Sequence, residues 1–309
     1  MIIILMATYN GEKYISQQID SILSQTCQDF VLYINDDNSD DNTYKIAYEY
    51  SSKYPEKVIV TKNNKNTGSA KHNFINMMIQ HKNDYVMLSD QDDVWLPNKI
   101  EITYNEIKKC EAEYDASTPI LVHTDLKVAN NDLTKIISQS YKEAMNSDYN
   151  RTLLRNQIIQ NTPTGCTMIY NRSLADLIIN EPDYLVMHDW WIVLIAAAFG
   201  KIVPMDSQTV LYRQHNNNEV GAKDVRTLKY KIGKLVRYNE IKDALKNSYK
   251  QAKCFLSIFK DKLTDEQIKL LTDYSNIPNR TKMMRFITIC RLGTFKTGFA
   301  RKVAQVLFI

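Results

Sequence analysis

The sequence predicts an α/β protein with a mainly parallel sheet flanked by helices, followed by a helical and basic C-terminal extension. Up to about residue 220, short apolar runs alternate with segments of helical periodicity. Polar loops follow several of these runs, and beyond them lie lysine-rich segments without strand-like runs. Alternating strands and helices are typical of parallel sheets with right-handed crossovers.

Four apolar runs near the N-terminus predict strands, and the segments between them predict helices. In order, these elements are a strand Ile2–Ala7, a helix Glu12–Ser24, a strand Phe30–Ile34, a helix ending near Tyr50, a strand Lys57–Thr61, a helix opened by Asn66–Ser69, and a strand Tyr85–Leu88. Pro97 is suited to the first turn of the next helix, where a missing N–H is tolerated. An apolar helix Trp190–Phe199 and a strand Thr209–Tyr212 follow later.

Composition limits the classes of protein to consider. A chain of 309 residues suggests a large core with an appendage, and 44% hydrophobic residues exclude a mainly disordered protein. The five cysteines are scattered without a Cys-x-x-Cys pair, which favours a reduced, cytosolic chain over a disulfide scaffold or zinc site. The first residues lack the features of a signal peptide, and no run reaches the roughly 18–20 apolar residues of a spanning helix.

The net charge of +4 conceals an asymmetry along the chain. Residues 223–309 hold 20 Lys+Arg and 7 Asp+Glu, a balance of +13, whereas residues 1–222 hold 19 basic and 28 acidic residues, a balance of −9. This shift coincides with the end of the alternating strands and helices. We therefore predict two parts, residues 1–222 and residues 223–309.

Polar loops follow three of the predicted strands. They are Thr8–Asn10, Asp36–Asp41 and Asp90–Asp93. Ligands of open α/β sheets bind beyond the carboxyl ends of the strands, so we expect these loops to lie at one edge. The three acids of the last loop repel one another unless a cation lies among them, and hard divalent ions prefer such oxygen-rich settings. The loops predict a metal-assisted site for a phosphate-bearing substrate.

Seven motifs carry a resemblance to a known family. They are Ala7–Ile15, Asn35–Asp41, Asn66–Lys71, Ser89–Trp95, Thr164–Thr167, His188–Trp191 and Tyr212–Asn216. Together they resemble family 2 glycosyltransferases with the GT-A fold, over roughly residues 1–220 and in the order of that family. The whole set most resembles bacterial enzymes of cell-wall and capsular polysaccharide assembly, notably rhamnosyltransferases.

The resemblance implies an inverting, metal-dependent transfer of a sugar from a nucleoside-diphosphate sugar. The acceptor would be a hydroxyl of a lipid-linked glycan or of a growing bacterial surface polysaccharide. Departure of the nucleoside diphosphate builds negative charge, which Mn²⁺ or Mg²⁺ stabilises as a Lewis acid. By resemblance, Asp92, Asp90 and His215 would bind this metal, although an isolated histidine is more often structural.

The resemblance also implies a set of donor-binding residues. They are Thr8, Tyr9, Asn10, Glu12, Asp37, Lys71, Asp90, Gln91 and Arg213. Asp37 would bond the imide of the base, and Tyr9 would stack on the ring or lie at its edge. The alternatives stay open: residues 36–41 are also natural turn formers, Lys71 is also suited to a solvated helix surface, and Asp93 is suited either to the metal site or to a helix cap.

Asp189 matches the position of the catalytic base in the family. It would take the proton of the acceptor hydroxyl, and its place at a helix start favours the ionised form. Trp190 and Trp191 would line the acceptor side, together with Thr164 and Gly165. In the alternative, Asp189 caps the helix and the tryptophans are core residues; we expect at least one of them in the core.

The C-terminal region predicts helices with a basic, apolar surface. Residues 224–260 suggest one or two amphipathic helices, and Thr264–Gln267 is typical of a helix start. Residues 280–309 contain seven basic residues and no acid, interleaved with large apolar residues. This pattern predicts attachment to an anionic membrane surface and a cytoplasmic, peripheral location on the inner face of the plasma membrane. A helical bundle packed on the catalytic domain is the alternative, and no motif predicts a nucleic-acid partner.

Two other functions are compatible with a metal-binding α/β protein. A nucleotidyltransferase making a nucleotide sugar would normally show a Gly-rich, basic loop after the first strand, and Tyr9–Glu12 does not supply one. A non-catalytic cation- or sugar-binding module would need no acid at Asp189.

Overall fold

A computed structural model describes residues 1–215 and 238–309, which form two compact units. The first unit comprises residues 1–141, 163–181 and the described part of 200–221. The second comprises residues 142–162, 182–199 and the described part of 222–309. The units therefore differ from the predicted parts 1–222 and 223–309, because two segments before residue 200 pack with the C-terminal helices.

The strands of the described residues all belong to one sheet in the first unit. In chain order they are β1 (Ile2–Thr8), β2 (Phe30–Asp36), β3 (Val58–Lys62), β4 (Tyr85–Ser89), β5 (Val94–Trp95), β6 (Ile120–Ala129), β7 (Ile136–Ser138), β8 (Met168–Asn171) and β9 (Lys201–Arg213). Their order across the sheet is β3-β2-β1-β4-β8-β6-β9-β5, with β7 paired to β6. The predicted α/β class is confirmed.

Strands β1 to β4 form the parallel part of the sheet. All residues of β1 and β4 are buried, as expected for parallel strands covered on both faces. In register, Thr8 lies beside Asp36 and Met6 lies beside Ser89. The loops after β1, β2 and β4 therefore leave the sheet at the same edge. The rest of the sheet is mixed, because β8 is antiparallel to both β4 and β6 while β6 and β9 are parallel.

The described helices lie between and after these strands. In chain order they are α1 (Ile15–Leu23), α2 (Thr43–Lys53), α3 (Ala70–Gln80), α4 (Lys99–Tyr114), α5 (Tyr141–Ala144), α6 (Leu154–Gln157), α7 (Arg172–Ala175), α8 (His188–Phe199), α9 (Tyr238–Phe259), α10 (Asp265–Ser275), α11 (Lys282–Leu292) and α12 (Phe299–Phe308). Short 3₁₀ turns lie at Gly165–Thr167, Lys260–Lys262 and Ile277–Asn279. Of the predicted helical segment 224–260, residues 224–237 lie outside the described residues.

The segment after β4 differs from the prediction. Helix α4 begins at Lys99 with Asn98 as its N-cap, so Pro97 precedes the helix and is not in its first turn. The short strand β5 intervenes and pairs with β9. Asp93 lies before β5 and therefore does not cap α4.

The helices of the second unit enclose an aromatic core. The ring of Trp191 on α8 meets Phe255 edge-on with centroids 5.4 Å apart, and Phe259 packs nearby. Thr264 and Gln267 form a capping box at the start of α10, which confirms the predicted helix start. Among the helices of the described residues, none has the length and apolar character to cross a membrane.

Candidate active site

Gln91 joins the loop after β4 to the loop after β1. The Tyr9 backbone N–H donates to its Oε1 at 3.0 Å, and its Nε2 donates to the Tyr9 carbonyl at 2.9 Å. A Cβ on Gly11 would lie 2.2 Å from Oε1 of Gln91, so this approach requires glycine. The side chain of Gln91 thus sets the spacing of the two loops, a role that the sequence did not predict.

Hydrogen bonds also fasten the loop after β2 to the loop after β1. The N–H of Asn10 donates to Ser39 Oγ at 3.0 Å, and the N–H of Asp40 donates to Asn10 Oδ1 at 2.9 Å. Ser39 Oγ in turn donates to the buried Asp36 at 2.6 Å, and Thr8 Oγ1 donates to the same carboxylate oxygen at 3.2 Å. Asn10 has φ +48°, a left-handed conformation that Asn tolerates.

Asp37 is 3% exposed and orders the segment that leads to α3. Its carboxylate accepts hydrogen bonds from Asn63 Nδ2 at 2.7 Å, from Thr67 Oγ1 at 2.7 Å and from the Thr67 N–H at 2.9 and 3.0 Å. These donors occupy most of the lone-pair positions of a carboxylate. The geometry gives Asp37 a supporting role, and its contact with a base stays a prediction.

The remaining donor-side residues lie around the same loops. Glu12 accepts hydrogen bonds from the backbone N–H and the side-chain amide of Asn42, just before α2. The ring of Tyr9 is 45% exposed at this edge. Lys71 lies in the first turn of α3, where its N–H donates to the N-cap Ser69.

The acids after β4 have different surroundings. Asp92 Oδ2 lies 2.7 Å from His215 Nε2. Possible ligand atoms of Asp90, Asp93 and Cys166 lie within 4.8 Å of one another. Burial, followed by the charges of Asp92 and Asp90, raises the pKa of Asp93 well above its usual value. Crowding among the three acids and burial therefore favour the protonated form of Asp93.

This set of side chains fits a hard divalent cation. Carboxylate oxygens suit Mn²⁺ and Mg²⁺, the imidazole nitrogen of His215 suits Mn²⁺ better than the harder Mg²⁺, and the mutual repulsion of the acids would be relieved by such an ion. Asp92 and His215 are already adjacent, and Asp90 lies in the same short loop. The thiol of Cys166 is a soft donor and suits these ions poorly.

Lys99 is a buried charge that the sequence analysis did not identify. Its Nζ lies 4.5 Å from the centre of the Trp95 ring and has no hydrogen-bond partner among the described residues. Burial lowers the pKa of Lys99 to about 8, while electrostatic interactions with Cys166 and Asp93 oppose that shift. A lysine at the start of a helix is usually solvated, so the sequence carried no signal for this position.

Arg213, at the end of β9, donates to protein oxygens on two loops and on α1. Its Nε donates to the Asp92 carbonyl at 2.7 Å, and its two terminal nitrogens donate to the Asn131 carbonyl and to Gln17 Oε1, each at 2.6 Å. Its backbone N–H donates to Asp93 Oδ1 at 3.1 Å. Because its side chain makes these hydrogen bonds to protein oxygens, Arg213 stabilises the acidic loop.

The predicted catalytic base lies in the second unit. Asp189 is in the first turn of α8, partly exposed, and its Oδ1 accepts the Trp190 N–H at 2.6 Å. Trp190 is also partly exposed and donates from Nε1 to the Gln157 carbonyl at 2.6 Å. Trp191 is 2% exposed and belongs to the core, as expected for at least one of the two tryptophans. The prediction that Trp191 lines the acceptor side is corrected accordingly.

Thr164 and Gly165 lie in the first unit at a tight turn. Gly165 opens the 3₁₀ turn, and the Thr164 carbonyl accepts the N–H of Thr167 at 2.9 Å and its hydroxyl at 2.6 Å. Gly165 is buried. This turn also carries Cys166 to the acids that follow β4.

Comparisons with known proteins agree with this architecture. The sequence model of glycosyl transferase family 2 matches residues 3–178. The dTDP-rhamnosyl transferase RfbG of Shigella flexneri is 31% identical over 243 residues, which cover 75% of this chain and 79% of that protein.

Solved glycosyltransferases of the GT-A fold show the same fold at low identity. Residues 1–349 of S. aureus TarS in complex with UDP-GlcNAc superpose with a TM-score of 0.54 at 16% identity, covering 99% of this chain and 90% of that chain. The mannosyltransferase PcManGT of Pyrobaculum calidifontis in complex with GDP-Man and Mn²⁺ gives a TM-score of 0.54 at 14% identity, covering 94% and 73%. The chain has the GT-A fold, and it belongs to glycosyl transferase family 2.

Proposed function

We propose that this glycosyltransferase moves a sugar, with inversion, from a nucleoside-diphosphate sugar to a hydroxyl of a lipid-linked or growing bacterial surface polysaccharide. The observation that carries the proposal is the meeting of the three polar loops at one sheet edge, with Asp92 and His215 in contact. The similarity to RfbG makes dTDP-rhamnose the first donor to test. Family membership favours transfer over the nucleotidyltransferase and the non-catalytic alternatives.

In this proposal Asp92, Asp90 and His215 hold Mn²⁺ or Mg²⁺. When bound, the ion supplies Lewis-acid stabilisation of the charge that develops on the departing diphosphate. Gln91 and Arg213 fix the loop that carries Asp90 and Asp92. Gln91 donates to the Tyr9 carbonyl, and Arg213 donates to the Asp92 carbonyl. Such preorganised support limits the reorganisation needed during reaction.

The donor nucleotide is assigned to the exposed side of the same edge. Tyr9 offers the exposed ring for the base, and Thr8 and Asn10 shape the adjoining loop. Asp37 supports the base slot through its bonds to the loop before α3. Glu12 and Lys71 complete the set at the start of α2 and α3, with Lys71 proposed to approach the diphosphate.

Asp189 is proposed as the base that takes the proton of the acceptor hydroxyl. Its carboxylate is partly exposed at the first turn of α8, where the helix dipole favours the ionised form. Trp190 offers an apolar ring surface for a sugar face. Thr164 and Gly165 are proposed to let the acceptor approach the backbone closely.

A binding panel followed by one substitution tests the reaction. Thermal shift with dTDP, UDP and GDP, each with and without Mn²⁺, should show metal-dependent stabilisation by one nucleotide. Asp189→Asn should keep that stabilisation while transfer falls about a thousandfold. The exposed Asp183, in the same segment, provides the matched control Asp183→Asn with unchanged turnover. Absence of a response to every nucleotide, or full turnover by Asp189→Asn, would contradict the proposal.

We further propose that α11 and α12 hold the enzyme at an anionic membrane surface, where a lipid-linked acceptor would lie. Large apolar side chains are exposed on these helices, including Met283 at 75% and Phe299 at 84%. On α12, Phe299, Val303 and Leu307 recur every four residues and so share one face. Residues 280–309 carry seven basic residues and no acid, which complements anionic lipid headgroups.

Vesicle binding tests this surface without removing a helix that the second unit needs. Wild-type protein should cosediment with phosphatidylglycerol-containing vesicles and not with purely zwitterionic ones. Phe299→Gln combined with Leu307→Gln should weaken binding at least about tenfold. Ile258→Gln, at a 50% exposed apolar position on α9, is the matched control. Equal binding of the double variant and the wild type would contradict membrane attachment through α12.

A further inference from the structure

Tyr14 lies at the edge of the acidic loop and has no assignment among the donor or acceptor residues above. It immediately precedes α1, where the Gly11 carbonyl accepts the N–H of Tyr14 at 3.0 Å and that of Ile15 at 3.1 Å. This turn fixes the backbone of Tyr14, and its side chain is partly exposed. The position is therefore set by the loop that also carries Tyr9 and Asn10.

The ring of Tyr14 contacts both functional residues at the end of β9. It stacks on the imidazole of His215, with centroids 5.0 Å apart and planes inclined by 19°. The guanidinium carbon of Arg213 lies 4.8 Å from the ring centre. The hydroxyl donates to Asn131 Oδ1 at 2.7 Å, which fixes the ring at its far end.

We propose that Tyr14 is a positioning residue that sets the orientation of His215 for metal binding. This inference depends on the proposed metal role of Asp92, Asp90 and His215. An imidazole stacked on a fixed ring keeps its plane, and with it the direction of Nε2, which here lies 2.7 Å from Asp92 Oδ2. A ligand held in place before the ion arrives loses less conformational freedom on binding.

Arg213 depends less on Tyr14 than His215 does. Three hydrogen bonds from its side chain to the Asp92 carbonyl, the Asn131 carbonyl and Gln17 remain when the ring of Tyr14 is removed. We therefore expect the main consequence of losing the ring at His215. Removal of the Tyr14 ring should weaken metal binding while the loop keeps its fold.

Mn²⁺ binding without any donor tests this role directly. The free aqueous ion, quantified by electron paramagnetic resonance, gives the dissociation constant for each variant. Tyr14→Leu should weaken binding about fivefold, because it removes the stacked ring and the cation–π contact. Tyr14→Phe should remain within about twofold of wild type, since it keeps both ring contacts. Tyr48→Leu, at a 57% exposed tyrosine away from the loop, is the control.

His215→Ala separates this inference from the function on which it depends. In the His215→Ala background, Tyr14→Leu should have no further effect on Mn²⁺ affinity, because both changes act on one ligand. Wild-type affinity in Tyr14→Leu with weakened binding in His215→Ala would overturn the role of Tyr14 alone. Wild-type affinity in His215→Ala would instead overturn the metal role of His215.

Steady-state kinetics provide a second readout. Tyr14→Leu should raise the Mn²⁺ concentration for half-maximal rate while leaving the rate at saturating Mn²⁺ near that of wild type. A purely structural defect would lower the rate at every Mn²⁺ concentration and lower Tm. That pattern, or an equal loss in Tyr14→Phe and Tyr14→Leu, would overturn the argument from ring stacking.

Discussion

The donor-side edge of the first unit and the helical surface of the second differ in how their polar and apolar side chains are exposed. We use "donor-side edge" for the loops after β1, β2 and β4 together with the end of β9. There, carboxylates such as Asp36 and Asp37 are almost fully buried and hydrogen-bonded by neighbouring loops. On α11 and α12 the opposite holds, since large apolar side chains such as Met283 and Phe299 are exposed among basic residues.

This difference teaches what each region is suited to bind. Buried, fully bonded polar groups fix positions closely, which suits recognition of one small ligand and one ion. An exposed apolar and basic helix face specifies no single partner geometry, which suits an extended anionic interface. Substitutions at the donor-side edge should therefore change chemistry, whereas substitutions within the second unit, apart from the proposed acceptor-side residues Asp189 and Trp190, should change stability or attachment.

The largest expected effect is at the acidic loop. Asp92→Asn removes a proposed ligand and the carboxylate beside His215, so transfer should fall about a thousandfold while Tm changes little. The measurement is the rate of sugar transfer at saturating donor, with Mn²⁺ affinity in parallel. Asp84→Asn, at the opposite end of β4 with a 67% exposed side chain, should retain full activity. Normal turnover by Asp92→Asn would show that the chemistry does not depend on this loop.

A stability effect is expected from His188 in the second unit. This side chain is buried, and burial lowers its pKa to about 3. The unfolded chain, with an ordinary histidine, takes up a proton first as the pH falls below about 6.5. The free energy of unfolding should then decrease by about 1.4 kcal/mol per pH unit, or about 2 kcal/mol between pH 6.5 and 5.

Urea titrations at several pH values measure this effect. His188→Gln should lose that part of the pH dependence, so its slope below pH 6.5 should be shallower than that of wild type by about one proton. Mn²⁺ affinity should be the same in both proteins at pH 7.5. Identical slopes would show that His188 does not titrate on unfolding.

The next effect concerns the contact between Gln91 and Gly11. Gln91→Ala removes both hydrogen bonds to the Tyr9 backbone, and Gly11→Ala forces the same side chain away. Each substitution should raise KM for the donor about tenfold, as expected for two lost hydrogen bonds. The double variant should be no worse than either single variant, because both disrupt one interaction. Additive losses would show that Gly11 and Gln91 act separately.

The smallest effect is expected at the capping box of α10. Thr264→Ala removes the side chain that accepts the Gln267 N–H and should lower the free energy of unfolding by about 1 kcal/mol. Turnover at 25 °C should be unchanged, because Thr264 is an exposed residue of the second unit and has no proposed role in binding or transfer. Thr281→Ala gives a matched comparison, since Thr281 caps α11 without a box. A change in donor KM with either variant would weaken the distinction between the two regions.

Local patterns in the sequence were sufficient for the strands and several helix starts. The apolar runs at β1, β2 and β4 end in polar loops because a buried strand needs continuous apolar residues and its loop does not. Thr264 and Gln267 predicted a helix start since a capping box needs only residues three apart. The segment after β4 escaped prediction because β5 pairs with β9, a partner more than 100 residues away.

By itself, the sequence determined the α/β class, the family and the loops that carry the candidate ligands, because these depend on neighbouring residues and on motif order. Only the tertiary structure decided which side chains complete the site. Gln91 reaches Tyr9 across 82 residues, and Asp92 reaches His215 across 123. It also decided that Trp191 and Lys99 are buried and that residues 142–162 and 182–199 join the C-terminal helices. Such contacts arise from packing between distant segments, which no local pattern specifies.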